Sequence, residues 1–253
     1  MAVSLTELLQ HLDEQLEVDR FRDYCPNGLQ VEGRGQVSTL VTGVTACQAL
    51  IDRAISVGAD AILVHHGYFW KGESPVIVGI KRRRLGALIA NDISLLAYHL
   101  PLDAHPEMGN NACLGKLMGL DDHQPLEPGV AGSVGNITSL PAPVPAAEMV
   151  GRLADITGRA PLHIAAGADS VQRIAWCTGA AQGYIEAAVA AGADMFVTGE
   201  VSEQTVHTAR EEGIHFVAAG HHATERYGVQ ALGEYLARRF ELTHQFVDID
   251  NPV

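Results

Sequence analysis

The same landmarks occur twice in this chain, in the same order, and that restricts its possible folds more than any other feature. Thr42-Gly43 is followed by a helical stretch, by Gly58-Ala59-Asp60 and by an apolar run ending at His65-His66. Thr178-Gly179 is followed by a helical stretch, by Gly192-Ala193-Asp194 and by an apolar run ending at Gly199-Glu200. One helix later the likeness continues, as Ser94–Ala97 leads into His99-x-x-x-Asp103 and His215–Ala218 into His221-x-x-x-Glu225. Gly-Ala-Asp alone would be a coincidence in an alanine-rich chain. Three landmarks in one order argue for internal duplication.

Apolar runs at Thr39–Val44, Ala61–Val64, Ser94–Ala97, Ile174–Cys177, Met195–Thr198 and His215–Ala218 are expected to be strands. Helices are expected between them at about Gln48–Val57, Arg84–Asn91, Tyr184–Ala191 and Val201–Glu212. This alternation predicts an α/β fold, a mostly parallel sheet in each half with helices on both faces. Ahead of it, Ser4 and Glu7 have capping-box spacing, and Leu5, Leu8, Leu9, Leu12 and Leu16 follow a helical stripe. Pro141-Ala142-Pro143-Val144-Pro145 removes backbone donors at alternate positions and favours an extended connection over a core strand. It is expected to mark the entry to the second domain, and the domains are expected at residues 1–128 and 129–242.

The length of 253 residues and the 47% hydrophobic content suffice for a packed core in one large or two modest domains. A formal charge of -13 argues against a broad nucleic-acid-binding face, which needs clustered cations. The one basic run, Lys81-Arg82-Arg83-Arg84, reads as a solvated helix start. No apolar stretch approaches the roughly 18 residues that cross a bilayer. The four cysteines have neither zinc-knuckle nor C-x-x-C spacing, and no secretory signal precedes them, so a reducing cytoplasm is expected.

Each polar cluster follows directly after an apolar strand, where open α/β sheets bind ligands. Two histidines closing Ala61–Val64 are poor packing residues, because a buried imidazole without a partner loses hydrogen bonds. Imidazole and carboxylate together suit zinc, iron or manganese rather than calcium. His65, His66, Asp103, His221 and Glu225 are the candidate ligands. Five or six candidate ligands, the sixth being His99, exceed what one tetrahedral zinc takes, so two divalent ions are expected. Pro101 argues for a loop between His99 and Asp103. Glu200, His99 and His222 are the candidate proton-handling or substrate-contacting residues. His11, His123, His163, His207 and His244 lack such context and read as surface or structural groups.

Asn27-Gly28-Leu29-Gln30-Val31, Val64-His65-His66-Gly67, His99-x-x-x-Asp103, Thr198-Gly199-Glu200 and Gly220-His221-x-x-x-Glu225 resemble the NIF-three-like family from end to end. Its bacterial members are often labelled GTP cyclohydrolase 1 type 2 homologues. The resemblance implies two similar three-layer α/β/α domains with exchanged C-terminal strands, residues 243–253 returning to the first domain. It also implies a dinuclear metal centre between the domains, held by His65, His66, Asp103, His221 and Glu225, with His99 adjacent, and a toroidal homohexamer. The activity implied is metal-dependent hydrolysis of a small molecule, a nucleotide by the family label. The competing class is a non-catalytic metal-binding scaffold or metal-handling protein, which the same ligands would satisfy.

Overall fold

The computed structural model describes residues 2–253. In chain order it forms β1 (Val3–Ser4), α1 (Leu5–Gln15), β2 (Gly28–Val31), β3 (Gln36–Val37), β4 (Thr39–Thr45), α2 (Gln48–Ser56), β5 (Ala61–His66), α3 (Gly79–Ala90) and β6 (Ser94–Ala97). There follow α4 (Leu100–Ala104), α5 (Asn110–Met118), β7 (Gln124–Pro125), β8 (Asn136–Pro145), α6 (Ala146–Thr157), β9 (Leu162–Ile164) and β10 (Ser170–Trp176). The last elements are α7 (Ile185–Ala190), β11 (Met195–Thr198), α8 (Glu203–Glu212), β12 (His215–Ala218), α9 (His221–Thr224), α10 (Arg226–Phe240) and β13 (Thr243–Phe246).

Two compact units result. The first runs to Leu102 and is rejoined by Gly228–Asp250; the second holds Asp103–Tyr227 with Asn251–Val253. The boundary falls at Leu102 rather than at the expected residue 128. Its cause is α5, whose Leu114 and Met118 share a core with Met149 and Leu153 of α6.

In the first unit the strand order is β13-β4-β5-β6-β2, and only β2 runs antiparallel to its neighbour. Leu50, Ile51 and Ala54 of α2, with Leu85 and Leu88 of α3, share one core with Val41, Ile62, Val64 and Leu95 of the sheet. On the opposite face Gly233 of α10 lies against Thr42 and His244. His11 and Tyr235, 2.9 Å apart, tie α1 to α10. Helices therefore cover both faces.

In the second unit the order is β7-β8-β10-β11-β12-β9, with β10, β11 and β12 parallel and the flanking β8 and β9 antiparallel. The core shared by α5 and α6 takes Val171, Ile174 and Trp176 from β10 and Met195 and Val197 from β11. Ile185 and Ala188 of α7 and Ala209 of α8 are buried as well.

Three local expectations are corrected. The proline-rich segment belongs to strand β8, because Val144 pairs with Val171 and Ser139 with Arg173. Residues 140–143 thus face Gln172 alone, and Pro141 and Pro143 sit in this bulge, where no regular ladder bond is demanded. Helix α3 starts at Gly79 rather than near Arg84, so the basic run occupies its first turns, with Arg82 and Arg83 exposed. Lys81 is not a solvated group: its ammonium bonds Ser74 O at 3.1 Å and Glu73 at 3.2 Å, and lies 4.9 Å from the Phe69 ring centre.

The Gly-Ala-Asp landmarks have one structural role in both units. Asp60 Oδ2 accepts from Ser38 N at 2.9 Å, Ser38 Oγ at 2.7 Å and Thr39 N at 2.9 Å, while Oδ1 accepts from Arg34 at 2.9 Å. Asp194 Oδ2 accepts from Gln172 N at 2.8 Å and Arg173 N at 2.7 Å. Each aspartate fixes the register between a strand start and the strand beside it. Burial alone would raise the Asp60 carboxyl, but the hydrogen bonds of Ser38, Thr39 and Arg34 outweigh it and hold the pKa below the ordinary carboxylate value. A depressed folded pKa contributes stability above the unfolded pKa and loses it as pH falls through the folded value. Asp60→Asn is therefore expected to cost about 1–3 kcal/mol at neutral pH by urea unfolding. The gap to the parent chain should close as pH falls below about 4.

Candidate metal centre

Strand β5 is apolar until its last two residues, His65 and His66. His65 is fully buried, and its Nδ1 donates to Tyr98 O at 3.1 Å. His66 Nδ1 lies 3.2 Å from Thr45 Oγ1, across the β4–β5 ladder. His99 Nδ1 donates to Asp23 Oδ1 at 2.7 Å. In all three rings Nδ1 is held by an oxygen, which orients Nε2 as the ligating nitrogen. Ligand atoms of His65, His66 and His99 lie within 4.8 Å of one another, a spacing one ion can span. Gly67 follows because a Cβ there would come within 2.6 Å of the Ala97 side chain.

His99 owes its place to Asp23, which sequence reasoning missed. The Asp23 carboxylate also accepts from Leu100 N at 2.9 Å and Asn27 Nδ2 at 2.9 Å, and Asn27 Oδ1 accepts from His99 N at 2.7 Å. Burial opposes ionisation of Asp23, yet the His99, Asn27 and Leu100 interactions prevail and lower its pKa to about 2. This polar cap starts α4 at Leu100, so the stretch between His99 and Asp103 is a short helix rather than the expected loop. Pro101 falls in its first turn, where a missing N–H is harmless. Asp23, Cys25 and His99 also converge. Burial, aided by Asp23, pushes the Cys25 thiol up to about 12, so it stays protonated and is the poorer metal donor.

The second unit carries the carboxylate-rich set. Gly220, at φ 101°, opens the four-residue helix α9, which ends beside Glu225. His221 Nε2 lies 3.2 Å from Glu225 Oε2, and His221 Nδ1 lies 2.6 Å from Glu200 Oε1. Burial lowers the His221 pKa, but Glu225 and Glu200 on either side outweigh it and push it up to about 9. Glu225 is 3% exposed. Gly199 permits this approach, since a Cβ there would meet the His221 backbone at 2.6 Å.

Asp103 Oδ1 accepts from Asn110 Nδ2 at 2.9 Å and from Thr178 Oγ1 at 3.4 Å. Asn111 donates to Asp103 O at 3.3 Å and accepts from Thr178 N at 2.9 Å. Burial, followed by the charges of Asp103 and Glu225, raises the Cys177 thiol well above its ordinary value. His222 is buried, and its backbone N–H donates to Val253 O at 3.0 Å.

The structure thus assembles His65, His66 and His99 in one unit, and His221, Glu225 and Glu200 in the other, with Asp103 held by Asn110 and Thr178. The donor chemistry of both sets fits a divalent transition metal. Asp23, Asn110 and Asn111 were not singled out beforehand, and Asn27 and Thr178 stood only as parts of a family motif and of the repeat. The only sequence signal for them is polar residues bordering strand ends, because their partners are as far off as the 77 positions separating Asp23 from Leu100. No described helix is long and apolar enough to cross a membrane.

The Duf34/NIF3 (NGG1p interacting factor 3) family model matches residues 3–252. A Pseudomonas aeruginosa protein named GTP cyclohydrolase 1 type 2 homolog is 59% identical over 252 residues, all of both chains. The Escherichia coli K12 protein of that name is 54% identical over 98% of each chain. Among solved structures, a protein called ybgI, of unknown function, superposes with a TM-score of 0.94 at 52% identity, over 99% of this chain and 100% of that one. TTHA1606 from Thermus thermophilus gives 0.90 at 36% identity, over 99% and 100%. On its sequence and on its fold, the chain belongs to the Duf34/NIF3 family.

Proposed function

We propose that this protein is a metal-dependent hydrolase whose two ligand sets act together on two divalent ions, with His65, His66, Asp103, His221 and Glu225 as ligands. The observation that carries this reading is His221, whose Nε2 faces the buried Glu225 carboxylate at 3.2 Å while a second carboxylate, Glu200, holds its Nδ1 at 2.6 Å. Proteins place carboxylates there to fix the ring and raise its basicity toward a metal. A bound divalent ion supplies Lewis acidity that makes water a nucleophile near neutral pH. The residues divide the remaining work. His65 and His66 are anchored through Nδ1 and present Nε2, and Glu225 offers a buried carboxylate. Glu200, held on His221, positions that ring in preference to shuttling protons. His99 and His222 remain to hold or accept a proton near substrate.

By the name of its relatives, the substrate is a guanine nucleotide. One water adds at C8 and the C8–N9 bond breaks, opening the imidazole ring to a formamide on N7; a second water hydrolyses that formamide, leaving the amine and releasing C8 as formate. The oligomer we propose is a cytoplasmic homohexamer, and the four free cysteines suit a reducing compartment. The test incubates metal-loaded and metal-stripped protein with GTP and a panel of nucleotides and cyclic amides, and measures formate and ring opening. Metal-dependent turnover is expected. Unchanged substrates throughout would leave a metal-binding scaffold as the function.

A further inference from the structure

Aromatic residues make up only 6% of the chain, yet Tyr68-Phe69-Trp70 stand in a row immediately after His65-His66-Gly67. Each has a different task. Tyr68 is buried, its hydroxyl donating to Ala46 O at 2.7 Å and its backbone N–H to Gln30 Oε1 at 2.6 Å. Phe69 sits at φ 65°, a conformation that bulky residues seldom take, and the Lys81 ammonium lies over its ring. Strain of this kind persists only where the surroundings hold it, and it gathers at functional sites. Trp70 comes next, with its ring centre 5.0 Å from that of His99 and 6.0 Å from that of His66. Its indole N–H donates to Gly67 O at 3.2 Å.

A second ring reaches the same imidazole from another loop. Tyr24 follows Asp23, the carboxylate that holds His99, and its ring centre lies 6.4 Å from that of His99. The Tyr24 N–H donates to Asp23 Oδ1 at 2.6 Å, and the Tyr24 carbonyl accepts from Lys71 N at 2.7 Å. The loops that carry the two rings are thereby bonded to each other. Tyr24 and Trp70 stand at 63° and 84° to the His99 ring, so neither covers it by flat stacking. A tyrosine that only sheltered His99 would be buried, whereas Tyr24 is 61% exposed. Fixed, open aromatic faces recognise flat π-systems, and they do so with little regard to which base is presented.

We infer that Tyr24 and Trp70 form a stacking site for a planar heteroaromatic ring beside His66 and His99. Tyr24 supplies the accessible face, and Trp70 the ring that meets both histidines. That the stacked ring belongs to the molecule turned over at the metal centre rests on the function proposed above; the stacking itself does not.

The chain has two tryptophans, and Trp176 is fully buried in the other unit. Fluorotryptophan labelling of the full chain therefore gives one fluorine resonance for the site and one internal reference. The titrants, on metal-free and Zn²⁺-loaded protein, are guanosine, adenosine, uridine and dihydrouridine, which keeps the hydrogen-bonding edge of uridine but has no aromatic ring. The first three are expected to shift the Trp70 signal saturably and leave that of Trp176 in place. Guanosine and adenosine should differ in affinity by less than about tenfold, and dihydrouridine should bind more weakly than uridine. Tyr24→Ala, at an exposed position, should weaken guanosine about ten- to hundredfold, and Tyr24→Phe, which keeps the ring, should bind it as the parent does. No saturable shift of Trp70 with any nucleoside, dihydrouridine binding as tightly as uridine, or guanosine affinity indifferent to Tyr24→Ala would overturn the inference. The expected binding pattern without formate release from GTP would sink the hydrolase reading alone.

Discussion

Glu225→Ala is expected to lower divalent-metal affinity at least about a hundredfold, since even residues that merely support a ligand are worth roughly 10–100-fold. Glu225 is 3% exposed and faces His221 Nε2 at 3.2 Å, so the substitution removes a proposed ligand and the neighbour that orients the imidazole. Glu200→Gln leaves the ligands in place and replaces only the charged acceptor on Nδ1, so its loss should fall within that supporting range. Glu225 lies outside the apolar core of its unit, and the metal-free variant should keep its secondary structure by circular dichroism. Titration with Zn²⁺ and Mn²⁺ measures both effects. Equal affinity in Glu225→Ala and the parent chain would remove Glu225 from the ligand set.

Trp176→Ala should be the most destabilising single change, at about 3–5 kcal/mol. Trp176 is fully buried, and Gly115 of α5 lies so near its ring that a Cβ there would sit 2.7 Å from it. Its indole N–H donates to Asn111 O at 2.9 Å. Truncation opens a cavity under α5 and loosens the residue that bonds both Asp103 and Thr178. At about 2–4 °C per kcal/mol for a chain of this size, Tm should fall by about 6–20 °C. Trp176→Phe keeps most of the volume and loses the hydrogen bond, so it should cost only about 1–2 kcal/mol. Metal affinity should weaken in Trp176→Ala as Asn111 releases Asp103. A Tm within a few degrees of the parent would show that α5 is not held by this side chain.

The parts of the fold legible in sequence were those written in apolar pattern. Ser94–Ala97, Met195–Thr198 and His215–Ala218 have the bounds expected of them, because each is a short apolar run between turns. Charge obscured the start of α3: Lys81–Arg84 reads as polar surface, while Lys81 in fact closes the Phe69–Ser74 loop through tertiary contacts. Proline obscured β8, since only the bulge opposite Gln172 makes its rings compatible with pairing. The candidate ligands were legible because imidazoles and carboxylates stand out at strand ends. Their supports were not. Asp23 looks like any loop carboxylate until folding brings His99 and Leu100 to it, and the Gly-Ala-Asp repeats looked like markers before Asp60 and Asp194 proved to be register clamps.

The metal content of the chain tests the central claim most directly. Protein purified with metal present, freed of loosely bound ions and analysed for zinc, iron and manganese should hold about two divalent ions per chain. The Glu225→Ala variant treated in parallel should hold fewer. Less than one ion per parent chain after metal-replete purification would contradict the paired centre.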